Sequence, residues 1–108
     1  MFYRKDLEGY LTVAPGVSRK TLTHGEHTLF TEFRLEGGKD LPLHSHPQEQ
    51  TGYLVSGRIV LTIGGDRFEA RAGDSWCIPG NIEHGAHILE DAVAIEVFSP
   101  VRKDYLPK

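Results

Sequence analysis

The 108-residue chain carries 12 Lys and Arg against 15 Asp and Glu, a formal charge of −3, and 39% apolar residues. That length suits a single domain over residues 1–108, and the acidic balance without a basic stripe excludes nucleic acid as a partner. No stretch approaches the ~20 apolar residues of a membrane span, and Met1 to Glu8 lacks the apolar core of a secretory signal, so a cytoplasmic protein is expected. The single cysteine, Cys77, rules out an internal disulfide and fits a reducing compartment; alone, it reads as a small buried hydrophobe.

In chain order, short apolar alternations are punctuated by Gly, Pro and Asp, which is an all-β pattern. His24 and His27 flank Gly25-Glu26 in an exposed turn. From His27 to Glu36 the residues alternate: Leu29, Thr31, Phe33 and Leu35 take one face, and Phe30, Glu32, Arg34 and Glu36 the other. Gly37-Gly38 ends the strand. Thr51 to Val55 and Arg58 to Ile63 read as a pair turned at Ser56-Gly57, and Gly64-Gly65 as a hairpin turn back into Asp66 to Ala70. After a turn at Ala72-Gly73-Asp74 come a short strand over Trp76 to Pro79 and another over His84 to Leu89. A turn at Glu90-Asp91 then leads into Ala92 to Phe98. No window has helical periodicity. The tail from Ser99 to Lys108 is polar, with two prolines, and reads as a short turn or a loose end.

Chemistry concentrates at His44-Ser45-His46. Residues i and i+2 of an extended strand share a face, so the two imidazoles project together, and imidazole is a common ligand for Zn, Cu, Fe and Ni. A third histidine, His84, follows a Gly/Pro turn signal. His87 has the wrong parity to join it and reads as an exterior residue. On the last strand Glu96 and Phe98 share a face opposite Val93, Ile95 and Val97. A buried carboxylate is costly without partners, so Glu96 needs a reason to be there. Arg102 lies just past Pro100, where the chain can fold back over a barrel mouth; its fork suits a substrate carboxylate or pairs with Asp104 or Glu96 as structure.

Two segments resemble cupin motifs. Gly38, His44, His46 and Gly57 match the first, G-x(5)-H-x-H-x(3,4)-E-x(6)-G, over about 38–57, with Gln50 in the place of the Glu. Gly73, Pro79 and His84 match the second, G-x(5)-P-x-G-x(2)-H-x(3)-N, over about 73–88. Asn81 stands at its second Gly, a residue that also tolerates positive φ, and Ile88 at its Asn. The resemblance implies a double-stranded β-helix, or jelly-roll barrel, that holds one divalent metal ion (Zn, Ni, Mn, Fe or Co) through His44, His46, Gln50 and His84. Glu49 competes with Gln50, but motif spacing and strand parity favour Gln50. The resemblance also implies a homodimer, with Leu7 to Val17 available as an exchanged N-terminal strand.

The small pectin-degradation cupins called KdgF are a nearer likeness. Their H-S-H-P-x-E-Q-x-G-Y-x-x-S-G pattern is matched at His44 to Pro47, Glu49, Gln50, Gly52, Tyr53, Ser56 and Gly57. Gly73 to Trp76, Ile78, Pro79, His84 and Gly85 follow, then Val97 to Pro100, Arg102 and Asp104 to Leu106. This resemblance implies a metal-dependent isomerase that converts cyclic 4,5-unsaturated monouronates to linear keto sugars. The catalytic roles fall on Glu96, in the place of an Asp, and on Arg102. Phe98 and Arg102 bind substrate, and Tyr53 and Trp76 are further candidates to line the pocket. The partner is then a carboxylated small sugar. Three neutral imidazoles and an amide leave the cation's charge uncompensated, which favours Lewis-acid chemistry over iron oxygenation. Other metal-dependent chemistry on the same fold (a dioxygenase or a sugar isomerase) and non-catalytic small-molecule binding are the alternatives.

Overall fold

A computed structural model describes residues 1–106; Pro107 and Lys108, the end of the expected polar tail and of the expected domain, lie outside the described residues. Eight strands follow one another: β1 (Leu11–Ala14), β2 (Val17–His24), β3 (Leu29–Leu35), β4 (Asp40–His44), β5 (Glu49–Ile63), β6 (Asp66–Arg71), β7 (Ser75–Ile78) and β8 (His84–Ser99). A 3-10 turn at Lys103–Tyr105 closes the described chain. The hydrogen-bonded order is β1-β2-β3-β8-β5-β6, with β4 paired to β8 and β7 paired to β5. All pairs are antiparallel. The fold is a double-stranded β-helix, the jelly-roll barrel expected from the sequence. Among the described residues no helix is long and apolar enough to cross a membrane.

Two long strands organise the barrel. β5 and β8 pair along nearly their whole lengths, from Glu49↔Ser99 to Ile63↔His84, with register shifts between Leu54 and Ile59. The first half of β5 also takes β7 and its second half takes β6; the first half of β8 takes β4 and its second half takes β3. The expected turns at Ser56-Gly57 and Glu90-Asp91 are therefore corrected: both are bends within continuous strands. Each strand crosses from one face of the barrel to the other there, and bulges supply the bend without reversing the chain. Gly57 has φ of 86°, and a Cβ on it would run into Asp91 and Ala92 of β8, so only glycine fits this corner.

The expected hairpin at Gly64-Gly65 and the expected turn at Gly73 are present, with φ of 63° at Gly64 and 96° at Gly73. β2 is an addition to the sequence reading; its Ser, Arg and Lys residues mask the alternation, and it forms because it pairs β3 from Val17↔Leu35 to His24↔Leu29. β1 pairs with this same β2. Val17, Leu29, Phe33, Leu35, Leu54, Ile59, Leu61, Ile88, Ala92, Ala94 and Phe98 form one buried cluster. Cys77 is exposed, which corrects the buried reading. On β7, Ile78 points inward and Trp76 is half-buried, so Ser75 and Cys77 must point out.

Candidate metal centre

Three histidines converge from separate elements. His44 ends β4, His46 stands two residues on, and His84 opens β8, where it is paired with His44. Their ring centroids lie 4.3 Å (His44–His84), 4.9 Å (His46–His84) and 5.9 Å (His44–His46) apart, and one ligand atom from each lies within 4.8 Å of the others. Asn81 keeps His46 in place: it adopts φ of 66°, and its backbone N–H donates to the His46 carbonyl at 2.7 Å. Positive φ at Asn81 is what the missing motif glycine requires.

The tautomers follow from the backbone. Nδ1 of His44 faces the Pro42 carbonyl at 2.8 Å, Nδ1 of His46 the Gln48 carbonyl at 3.0 Å, and Nδ1 of His84 the Ile82 carbonyl at 2.8 Å. A carbonyl only accepts, so each Nδ1 carries the proton and each Nε2 keeps its lone pair. His84 Nε2 is buried without a hydrogen-bond partner. Burial also depresses the proton affinity of His84 and His46. His84 falls to about 4, chiefly through desolvation and then through the nearby His44, His46 and Arg102, and His46 is lowered by desolvation and by Arg102. Neutral imidazoles with free Nε2 lone pairs are the form that binds metal.

Gln50 completes the cluster. It is buried while Glu49 is exposed on the other face of β5. Its Oε1 lies 3.0 Å from His46 Nε2, two lone-pair atoms that are compatible when both face a cation. Its Nε2 donates to Oε2 of Glu96, and the Trp76 indole N–H donates to Oε1 of Glu96 at 2.8 Å. Gly52, between them on β5, makes this possible, since a Cβ there would collide with the Trp76 indole. Glu96 is only 7% exposed. Burial raises its carboxyl to about 7, against the lowering effect of Trp76, Gln50 and Arg102. The donor set and the unpartnered His84 Nε2 fit a divalent cation held by His44, His46, Gln50 and His84.

The substrate candidates separate. Phe98 is buried against the His46 ring at 5.5 Å and the Tyr105 ring at 5.3 Å. The Arg102 side chain, 13% exposed, pairs with Asp104 at 2.9 Å. Its guanidinium sits 3.8 Å from the Tyr105 ring centre and 5.1 Å from that of Phe98, and its Nη1 is buried with no partner among the described residues. A cavity of about 30 Å³ is lined by Gln50, Trp76, His84 and Glu96 among apolar residues. That volume admits water and excludes a sugar. Trp76 and Glu96 thus line a small cavity next to Gln50 and His84. Tyr53 is not brought to it: 47% exposed, it points out of β5 beside Ser75 and Ile95, which corrects the pocket-lining expectation. The parity that turns Gln50 inward turns Tyr53 outward.

His87 is also outside, paired with Asp40 at 2.7 Å on the surface. Two contributors went unassigned in the sequence. Thr31 Oγ1 donates to the Glu96 carbonyl at 3.0 Å; its signal was a polar residue in the inward series of Leu29, Phe33 and Leu35. Tyr105 seats Arg102 and Phe98, and its signal was the Asp104-Tyr105-Leu106 ending.

Comparisons with known proteins agree with this fold. The cupin domain family matches residues 31–99. The pectin degradation protein KdgF of Dickeya dadantii (strain 3937) is 29% identical over 93 residues, 84% of each chain. The structure of KdgF from Halomonas sp. superposes with a TM-score of 0.85 at 31% identity, covering 90% of both chains. An RmlC-like cupin from Shewanella frigidimarina superposes at 0.91 with 25% identity, over 97% of this chain and 95% of that one.

Proposed function

This chain belongs to the cupin domain family, and from that premise we propose that it is a metal-dependent isomerase that opens the ring of 4,5-unsaturated monouronates from pectin or alginate breakdown. The observation that carries the reading is the convergence of three Nε2 lone pairs and the Gln50 oxygen beside an Arg102 that retains an unpartnered donor. Similarity to KdgF proteins supports the substrate class. A bound divalent ion supplies Lewis acidity for a developing oxyanion. The reaction needs no co-reactant. As the ring C–O bond breaks, the anomeric hydroxyl loses a proton and becomes an aldehyde, while the enolate left at C5 gains a proton at C4 and becomes a ketone.

The chain's own groups divide the remaining work. Arg102 is the cation assigned to the substrate carboxylate, with Nη1 its donor outside the pairing to Asp104 and with Asp104 and Tyr105 fixing its fork. Phe98, buried beside His46, backs the Arg102 guanidinium with its ring. Glu96, the expected proton carrier, has each oxygen already accepting a hydrogen bond, one from Gln50 and one from Trp76. Binding without turnover is the second reading, favoured by that same engagement of Glu96. We also infer a cytoplasmic homodimer. Leu7, Leu11, Val13, Tyr53 and Val55 are exposed apolar side chains that a second copy would cover; a dimer mass in size-exclusion light scattering is expected.

A proton NMR time course tests the function. Freshly generated 4,5-unsaturated galacturonate mixed with metal-replete protein should lose its ring vinyl signal faster than the uncatalysed rate, and chelation should abolish the gain. Decay at the uncatalysed rate with metal bound would sink the isomerase and leave the binding reading.

A further inference from the structure

We infer that Glu96 is a positioning residue whose carboxylate sets which end of the Gln50 amide faces the histidines. This rests on the metal-centre reading of His44, His46, Gln50 and His84. A side-chain amide has two unlike ends: the oxygen offers lone pairs, and the NH2 group offers only hydrogens. Only the oxygen end serves as a ligand. Left to itself, Gln50 would turn its NH2 to His46 Nε2, which carries a lone pair and accepts hydrogen bonds. The structure shows the opposite orientation, with Oε1 at 3.0 Å from that nitrogen and Nε2 directed to Glu96. A carboxylate outcompetes a neutral imidazole for the NH2 group, because charge-assisted hydrogen bonds are about twice as strong as neutral ones.

Glu96 is placed for this task and poorly placed for another. Its backbone carbonyl accepts from Thr31, its Oε1 accepts from Trp76 at 2.8 Å, and its Oε2 accepts from Gln50. Gly52 leaves the room in which Trp76 and Glu96 meet. Together with Trp76, Glu96 lines the cavity of about 30 Å³ next to Gln50 and His84. From there the ionised carboxylate also sets a negative charge one hydrogen bond away from a neutral ligand set, the usual arrangement of an outer-shell carboxylate.

Binding of Co2+ alone, followed by competitive chelator titration and visible absorption, tests this apart from turnover. In Glu96→Gln the new side chain still accepts from Trp76 but presents its NH2 to Gln50. The Gln50 amide then reverses and withdraws its oxygen from the metal. Co2+ should bind ~10–100-fold more weakly, with a changed visible spectrum. Adding Gln50→Glu to Glu96→Gln should restore tight binding, because the two groups exchange donor and acceptor and Trp76 keeps its partner. Glu96→Asp retains the acid but shortens its reach, so it should weaken Co2+ binding even if Glu96→Gln does not fold, with circular dichroism as the check on folding. Co2+ affinity within twofold of wild type and an unchanged spectrum in folded Glu96→Gln or Glu96→Asp overturns the inference, whatever happens to turnover. Wild-type protein that takes up no Co2+ overturns the metal-centre reading and this inference with it.

Discussion

The two ends of the barrel interior are built from the same strands and behave as opposites. Along β5, the inward positions run from Gln50 through Gly52 to Leu54 and then to Ile59 and Leu61. Along β8, they run from Phe98 and Glu96 through Ala94 and Ala92 to Ile88. One end is an apolar plug in which Leu54 is paired with Ala94 and Ile59 with Ile88. The other gathers His46, Gln50, His84, Glu96 and Thr31, all buried and polar. Burial of the plug drives folding. Burial of the polar end opposes it unless each group finds a partner, and His84 Nε2 has none among the described residues. The comparison teaches that stability and ligand binding are separable here, although they share every long strand.

Substitutions at the two ends should therefore fail in different ways. His84→Ala is the most severe at the polar end. Removing a direct ligand should weaken metal binding by more than the ~100-fold typical of outer-shell changes, while the chelated variant unfolds at or above the wild-type urea midpoint, because an unpartnered buried nitrogen is gone. A large loss of stability in the chelated variant would erase the distinction. Leu54→Ala does the reverse. Leu54 is fully buried, so the cavity should cost about 2–5 kcal/mol, seen as a lower urea midpoint with unchanged slope, and metal affinity should hold in the folded fraction.

Two smaller effects sharpen the comparison. In chelated protein, burial holds Glu96 near 7 against an ordinary 4.5. The folded state thus binds this proton more tightly, so Glu96 contributes stability that is complete below 4.5 and lost as pH rises through about 7. Glu96→Gln lacks that dependence. Between about pH 5 and about pH 8, chelated wild type should lose more stability than chelated Glu96→Gln. His84 works in the other direction, its contribution present above 6.5 and lost as pH falls through about 4, but it is common to both proteins and cancels in the difference. The smallest effect is expected for His87→Ala. His87 is a histidine of the outer surface paired only with exposed Asp40, so stability should stay within about 0.5 kcal/mol and metal affinity should not move. A fall in affinity would place His87 in the cluster.

The sequence by itself determined much of this. Strand parity over short stretches is local, so it placed His44 with His46, Gln50 inward and Glu49 outward, and Glu96 with Phe98. Applied further along β5 and β7, the same parity also carries the outward positions of Tyr53 and Cys77. Asn81 announced its left-handed backbone by standing where the motif has glycine. Tertiary structure alone decided whether Ser56-Gly57 and Glu90-Asp91 reverse the chain or bend it, because that choice depends on a partner strand far away in sequence. It alone decided what surrounds Glu96 as well. The donors that hold its carboxylate come from Trp76 and Gln50, 20 and 46 residues away, and a hydrogen bond depends on distances that only the closed barrel sets.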